Sequence, residues 1–284
     1  MRILFFGGSG QLGLDFRKVA DWRHEVVAPS HAEADITDAD AVESVAREHR
    51  PDVVIDAAAF HKVEQCEANP GLSFLVNGVG SWNAARAARA VGARAVFVST
   101  DYVFDGEEPG GYSEDHPTRP LSIYGASKVA GEHAVRIACP DSLVVRGSGL
   151  FGHAGSSGKG ANFVETMLAK AEAGEAISVV DDQIFSPTCT ADLAERILVL
   201  LEERVPPGIY HAANTGSCSW YGFAREIFRI AGLTPDLSPR PAGEQTVWRP
   251  RTSILLDTKS ARLGFKPIRS WTESLRWYLD SRKP

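Results

Sequence analysis

Arg2-Ile3-Leu4-Phe5-Phe6-Gly7-Gly8-Ser9-Gly10-Gln11-Leu12-Gly13 is the stretch on which the fold turns. The four consecutive apolar residues at 3–6 read as a strand buried on both faces. Glycines follow in two overlapping spacings, G-x-x-G-x-x-G from Gly7 and G-x-G-x-x-G from Gly8. Such spacing lets the chain turn sharply into a helix and brings backbone amides close to an anion at the helix N-terminus. Directly after a first strand, it points to a bound pyrophosphate and hence a dinucleotide.

The unit then repeats. Apolar runs at 25–28, 52–55, 95–99 and 143–146 read as further parallel strands. Between them, 37–49 predicts a helix capped by Thr37, with Val42, Val45 and Ala46 on one face and Pro51 as its stop. A second helix is predicted over 81–91, ended by Gly92. Residues 1–147 therefore predict an α/β dinucleotide-binding domain, a Rossmann-like doubly wound parallel sheet.

Beyond 147 the rhythm breaks. A Gly/Ser-rich loop at 152–160 precedes a helix near 161–173, a strand near 177–180 and a long helix at 190–203. Pro206-Pro207-Gly208 ends that helix, and a strand at 209–212, a helix at 220–231 and a proline-spotted loop at 235–250 follow. A strand at 253–256 and a last helix, opened by the capping box Ser270-x-x-Glu273, complete the chain. Residues 148–284 thus predict a smaller C-terminal α/β substrate-binding cap, interleaved with the sheet through a return segment near 177–203.

The 284 residues suit one large domain or two modest ones. A hydrophobic share of 44% against 23% charged excludes a disordered chain. The net charge of −6 gives no electrostatic reason to expect nucleic acid or an anionic membrane as partner. Cys66, Cys139, Cys189 and Cys218 lie far apart with no CxxC spacing, so neither a zinc site nor a disulfide framework is expected. The acidic residues show no ligand spacing, so no metal-binding carboxylates are picked out. A reducing compartment fits, the apolar run at the N-terminus is too short for a signal peptide, and no run reaches the ~18 apolar residues of a membrane span. A cytoplasmic protein is expected.

The end of the second strand bears on the cofactor. It reads Ala28-Pro29-Ser30-His31, with no carboxylate to engage an adenosine ribose. Ser30 and His31 then face a site with room for a 2′-phosphate, which favours NADPH over NADH. Asp35 admits two readings, a contact with the adenine or a part of the turn that caps the next helix.

Tyr124-Gly125-Ala126-Ser127-Lys128 opens a predicted helix and sets phenol and ammonium on one face, four residues apart. A free tyrosine, with a pKa near ~10, is a poor acid–base group at neutral pH. A neighbouring ammonium and an oxidised nicotinamide favour its phenolate, so Tyr124 becomes a candidate general acid for a carbonyl undergoing reduction. Ser99-Thr100-Asp101 stands at the carboxyl end of the fourth strand, where such sheets bind ligands, and can donate a hydroxyl to the same oxygen.

Together these features resemble the extended short-chain dehydrogenase/reductases, and within them the dTDP-4-dehydrorhamnose reductase family. The runs that carry the resemblance are Gly8-Ser9-Gly10-Gln11-Leu12-Gly13, Asp56-Ala57-Ala58-Ala59-Phe60 and Ser99-Thr100-Asp101-Tyr102-Val103-Phe104-Asp105-Gly106. Tyr124-Gly125-x-x-Lys128-x-x-Gly131-Glu132, Asp182-Gln183 with Pro187-Thr188, and Arg249-Pro250 before Ser253 extend it over almost the whole chain.

The resemblance implies reduction of the C4 keto group of a nucleotide-linked deoxysugar, with Thr100, Tyr124 and Lys128 as catalytic residues. It implies that Gly7, Gly10, Gln11 and Leu12 line the cofactor pyrophosphate, and that Asp35 and Ile36 meet the adenine. Ala57, Ala58 and Ala59, with Tyr124 and Lys128, would flank the nicotinamide ribose. Asp101 and Tyr102 would face the sugar, Asn162 and Phe163 would bind the nucleotide-sugar diphosphate, and Arg249 would neutralise part of its charge. A nucleotide-sugar substrate and a homodimer are the expected partners. The same family resemblance extends to two rivals, a nucleotide-sugar epimerase and a non-catalytic NADP-binding regulatory subunit like that of methionine adenosyltransferase.

One departure bears on the sugar. The family often carries Arg-x-Ser-Trp after the fifth strand, with the tryptophan touching the sugar, whereas this chain has Arg146-Gly147-Ser148-Gly149. Phe151 and Trp248 are the candidate replacements. Trp220, Tyr221 and Phe223 read as cap core rather than a ligand cage, and Trp271 and Trp277 as packing for the last helix. His61 is a candidate substrate contact, and Asn77 a candidate to orient Lys128 through water.

Overall fold

Each of the five early apolar runs forms a strand of one parallel sheet in the computed structural model, which describes residues 1–153, 161–243 and 247–282. The chain begins β1 (Arg2–Phe6), α1 (Gln11–Ala20), β2 (Glu25–Val27), α2 (Ala39–His49) and β3 (Val53–Asp56). Two short helices, α3 (Val63–Ala68) and α4 (Pro70–Phe74), run through a π-helical turn at Leu75–Gly80 into α5 (Ser81–Ala90). Then come β4 (Arg94–Thr100), α6 (Ile123–Ala138) and β5 (Ser142–Gly147).

The later part holds β6 (Leu150–Phe151), α7 (Phe163–Glu172), β7 (Ile177–Val180), β8 (Ile184–Phe185) and β9 (Thr188–Cys189). It continues with α8 (Thr190–Glu202), β10 (Gly208–His211), β11 (Cys218–Ser219), α9 (Trp220–Ala231) and β12 (Leu237–Arg240). β13 (Thr252–Ser253), α10 (Thr258–Arg262) and α11 (Trp271–Ser281) follow.

The large sheet runs β10-β5-β4-β3-β1-β2, parallel throughout. The strand order reverses between β1 and β3, which opens a crevice at their carboxyl ends. Both faces are covered, which explains the unbroken apolar runs. Ile3 and Phe5 point to one side, where Phe16 of α1 and Leu193, Ile197 and Leu201 of α8 pack. Leu4 and Phe6 point to the other, against Val42 of α2, Ala84 and Ala88 of α5 and Val135 of α6. A separate cluster built on Phe151, Met167, Phe223, Leu275 and Tyr278 forms the core of the smaller part.

Three local expectations change. The cap of α2 is Asp38, whose carboxylate accepts from the amides of Asp40 and Ala41, while Thr37 instead donates its amide and hydroxyl to Asp35. The stretch read as a loop over 235–250 contains β12, parallel to β7. Pro239 is tolerated there because β12 has a neighbour on one side only. The last predicted strand shortens to Thr252–Ser253, and Leu255 beyond it bridges to Tyr112. In the Gly/Ser-rich loop, residues 154–160 lie outside the described residues.

The chain returns to the sheet through α8, which packs on α1, and β10, which pairs with β5. Ile177–Val180, at the start of that return segment, pairs with β12 away from the large sheet. Among the described residues, no helix is long and apolar enough to cross a membrane.

Candidate active site

The glycine turn is held by close backbone approaches. Gly7 has φ +82°, and a Cβ there would lie 2.7 Å from the carbonyl carbon of Ala57. A Cβ on Gly13 would fall 2.4 Å from Cα of Gly8, so helix and turn touch directly. α1 begins with no side-chain cap and no acidic residue in its first turn. Its first amides are thereby suited to an anion.

Above this turn lies a cleft of about 420 Å³, to which Gly7, Gly10, Gln11, Leu12, Ala57, Ala58 and Ala59 contribute. A smaller cavity of about 240 Å³, reached over Gly7, Ser9, Ala58 and Ala59, is lined by His31, Asp35 and Ile36. The paired cavities, the uncapped helix end and the glycines fit an extended dinucleotide. Asp35 lines the smaller cavity and also belongs to the capping turn, where its carboxylate takes the Thr37 amide, which holds it below the usual carboxylate range. Ser30 is exposed and lines neither cavity, and its amide donates to Glu33 at 2.7 Å.

Thr100, Tyr124 and Lys128 line the larger cleft. Ser122 caps α6 by accepting from the amide of Gly125, which puts Tyr124 and Lys128 in the first turns of that helix. Gly125 is needed at this point, because a Cβ would lie 2.2 Å from the carbonyl oxygen of Tyr102. Burial pushes the Tyr124 phenol up, and its hydrogen bond with Thr100 opposes that shift. Thr100 donates its hydroxyl to Asp101 at 3.0 Å and accepts from the amide of Tyr102.

Lys128 is 2% exposed, and its Nζ stands 3.9 Å from the centroid of Phe97. Burial pulls its pKa down to about 8, against the charges of Asp56 and Glu132. The buried Asp56 carboxyl is pushed up to about 6 by the same desolvation, against the pull of Lys128. Glu132 accepts a bidentate pair from Arg146 at 2.8 and 2.7 Å and the hydroxyl of Ser99 at 2.6 Å. Arg146 is itself 3.4 Å from His211, whose pKa burial lowers to about 3. This buried ladder beneath the site was missed in the sequence, although Glu132 at one helical turn from Lys128 marked its start.

Asn77 bonds the amide and carbonyl of Phe60 and donates to Ser127 at 2.9 Å. It thus ties the loop after β3 to α6 beside Lys128, and His61 on that loop lines the cleft.

Asp101, Tyr102, Asn162, Phe163 and Arg249 also line the cleft. Asp101 is buried, accepts the Ser148 hydroxyl at 2.7 Å, and is raised by desolvation. Asn162 caps α7 through the amide of Glu165 and donates to the carbonyl of Gly152. Arg249 pairs with Glu64 and hydrogen-bonds Tyr102.

Neither expected replacement for the missing tryptophan is at the cleft. Phe151 is wholly buried against Phe223 and Tyr278, and Trp248 is 69% exposed and outside the lining. Trp220 and Tyr221 pack against the core of the smaller part around the buried Phe223, as expected, and Trp220 also lines the cleft together with Phe185. Among the described residues, no group of three His, Cys, Asp or Glu side chains is placed to hold a metal ion.

A glycine turn at the switch point of a doubly wound sheet, with Tyr, Lys and Thr gathered at the strand ends, defines an extended short-chain dehydrogenase/reductase. Comparison with known proteins narrows this class. The family model described as RmlD substrate binding domain matches residues 1–283, and the chain belongs to that family. It is 42% identical to dTDP-4-dehydrorhamnose reductase of Streptomyces griseus, over 96% of this chain and 91% of that protein. It is 41% identical to the spore coat polysaccharide biosynthesis protein SpsK of Bacillus subtilis, over 99% of this chain and 98% of that one. The crystal structure of dTDP-4-dehydrorhamnose reductase from Bacillus anthracis in complex with NADP superposes with a TM-score of 0.94 at 38% identity, covering 98% of both chains.

Proposed function

We propose that this protein reduces the C4 keto group of dTDP-4-dehydrorhamnose to give dTDP-rhamnose, with NADPH preferred to NADH. The observation that carries this reading is the meeting of Thr100, Tyr124 and Lys128 in one cleft with the glycine turn. Relatives of this length and similarity that are named for the same reaction support it.

Gly7, Gly10, Gln11 and Leu12 would hold the pyrophosphate at the uncapped end of α1. Asp35, Ile36 and His31 would receive the adenosine end, and Ala57, Ala58 and Ala59 the nicotinamide side. When bound, the reduced nicotinamide supplies a hydride to the C4 carbon of the sugar. Tyr124 gives its proton to the C4 oxygen as negative charge develops there, and Thr100 donates a hydrogen bond to the same oxygen. The positive charge of Lys128 stabilises the phenolate that remains until water restores its proton. Asp101 and Tyr102 would face the sugar, while Asn162, Phe163 and Arg249 would take the nucleotide and its diphosphate.

The same reading sets the enzyme in the cytoplasm and makes it a homodimer, which light scattering after size exclusion tests. The activity test is oxidation of NADPH, and separately NADH, with dTDP-4-dehydrorhamnose generated in situ. Sugar-dependent oxidation is expected with both and faster with NADPH. Absence of any sugar-dependent oxidation by a protein that binds NADPH would overturn the assignment.

A further inference from the structure

Gly149 follows β5 with φ +49°, and a Cβ built on it would fall 2.2 Å from Cε2 and 2.3 Å from Cδ2 of Phe185. The ring of Phe185 thus occupies the volume that any side chain at 149 would enter. Phe185 is 3% exposed, and its ring stacks on that of Trp220 with centroids 3.9 Å apart and planes at 19°. Trp220 in turn leans on Phe163, at 4.8 Å.

Backbone pairing fixes this stack. Ile184 and Phe185 form the middle strand of a small sheet, antiparallel to Cys218–Ser219 on one side and parallel to Thr252–Ser253 on the other. Ser219 caps α9, so Trp220 enters its helix in a set direction beside Phe185. Both rings line the cleft that holds Thr100 and Tyr124.

We propose that Gly149 and Phe185 are a matched pair that determines sugar specificity: Phe185 fills the space over Gly149 and holds Trp220 as the aromatic wall on which the sugar's C–H face rests. A deoxysugar offers more apolar surface than a fully hydroxylated one, and aromatic rings with a few polar groups opposite are the usual way to seat such a ligand. Asp101, held by the Ser148 hydroxyl at 2.7 Å, supplies a polar group on the same cleft. This inference rests on the reductase reading above and adds the residues that choose its sugar.

The test compares wild type with Phe185→Ala, Phe185→Leu, Trp220→Ala, Trp220→Phe and Gly149→Ala. For each, the KM for dTDP-4-dehydrorhamnose, the KM for NADPH and the Kd for dTDP alone are measured. Trp220→Ala and Phe185→Ala are expected to raise the sugar-nucleotide KM by about tenfold or more, with the other two constants within about twofold. Trp220→Phe and Phe185→Leu, which keep most of the apolar volume, recover most of that loss. Gly149→Ala raises the same KM in wild type, and its effect shrinks in the Phe185→Ala background, where the ring it displaces is gone. An unchanged sugar-nucleotide KM in Trp220→Ala and Phe185→Ala, or an equal loss of dTDP binding, overturns the pairing while leaving the reductase standing. A wild-type protein that binds dTDP and NADPH but turns over no sugar overturns the reductase reading, and the pairing with it.

Discussion

The ammonium of Lys128 donates to the carbonyl oxygen of Val98 at 2.7 Å, two residues before Thr100 on the same strand. One hydrogen bond therefore couples the helix that bears Tyr124 to the strand that bears Thr100. Because Tyr124 lies one turn before Lys128, the spacing of phenol, hydroxyl and ammonium is set by backbone and not by loop position.

Removal of the phenol oxygen isolates the proton-transfer role. Tyr124→Phe is expected to lower kcat by about a hundred- to ten-thousand-fold, the usual span for a lost general acid. Binding of NADPH, followed by fluorescence titration, stays close to wild type. A kcat within a few fold of wild type would remove Tyr124 from the mechanism.

The pH profile should report Lys128. Its pKa is lowered to about 8, so the ammonium is present below that pH and lost above it. Activity that needs the charge falls as pH rises through this value. Asp56→Asn removes the buried carboxylate that opposes the shift, yet its side-chain oxygen can still accept the Ala58 amide. The basic limb of kcat/KM in this variant is expected to move to lower pH. A limb that stays in place would mean another group controls it.

Glu132 and Arg146 are 4% and 1% exposed in their side chains, and form a pair whose geometry is bidentate. Loss of one partner strands the other charge, which typically costs about 3–5 kcal/mol. Glu132→Ala is expected to lower the thermal midpoint by on the order of 10 °C. Glu132→Gln, which still accepts from Ser99 and Arg146, loses less. Equal midpoints for wild type and Glu132→Ala in a calorimetric scan would contradict this.

Arg249 faces the cleft while paired with Glu64, at side-chain exposures of 28% and 62%. A diphosphate that takes Arg249 must compete with that carboxylate. Pairs this exposed are worth about 1 kcal/mol or less, so Glu64→Gln is expected to lower the KM for the sugar nucleotide about two- to fivefold. The NADPH constant should not move. A higher sugar-nucleotide KM would show that Glu64 orients Arg249 instead of holding it back.

The fold was legible wherever a pattern was local. Residues 3–6 read as a strand because both faces of a parallel strand are apolar, and Ser270 with Glu273 marked α11 because a capping box is written within four residues. Tyr124 and Lys128 were legible for the same reason, being one helical turn apart. Tertiary partners were not. Nothing near Lys128 in sequence announces Asp56, which arrives from β3, and nothing near Gly149 announces the ring of Phe185. Strands of two residues, such as β8 and β11, are too short to show a period, and Pro239 disguised β12 as a loop. Thr37 and Asp38 are adjacent capping residues, and only the formed turn at Asp35 decides between them.

The position of β10 has a consequence for how this protein can be made and cut. The strand that closes the large sheet comes from Gly208–His211, and the helix that covers α1 comes from Thr190–Glu202. A ribosome must therefore deliver the chain through His211 before the first half can complete its own core. A chain stopped at residue 147 would carry β5 as a bare edge and α1 with its apolar face in water, both invitations to aggregate. The two halves are expected to share one folding event, and a cofactor-binding fragment is expected to be stable only when it runs through His211.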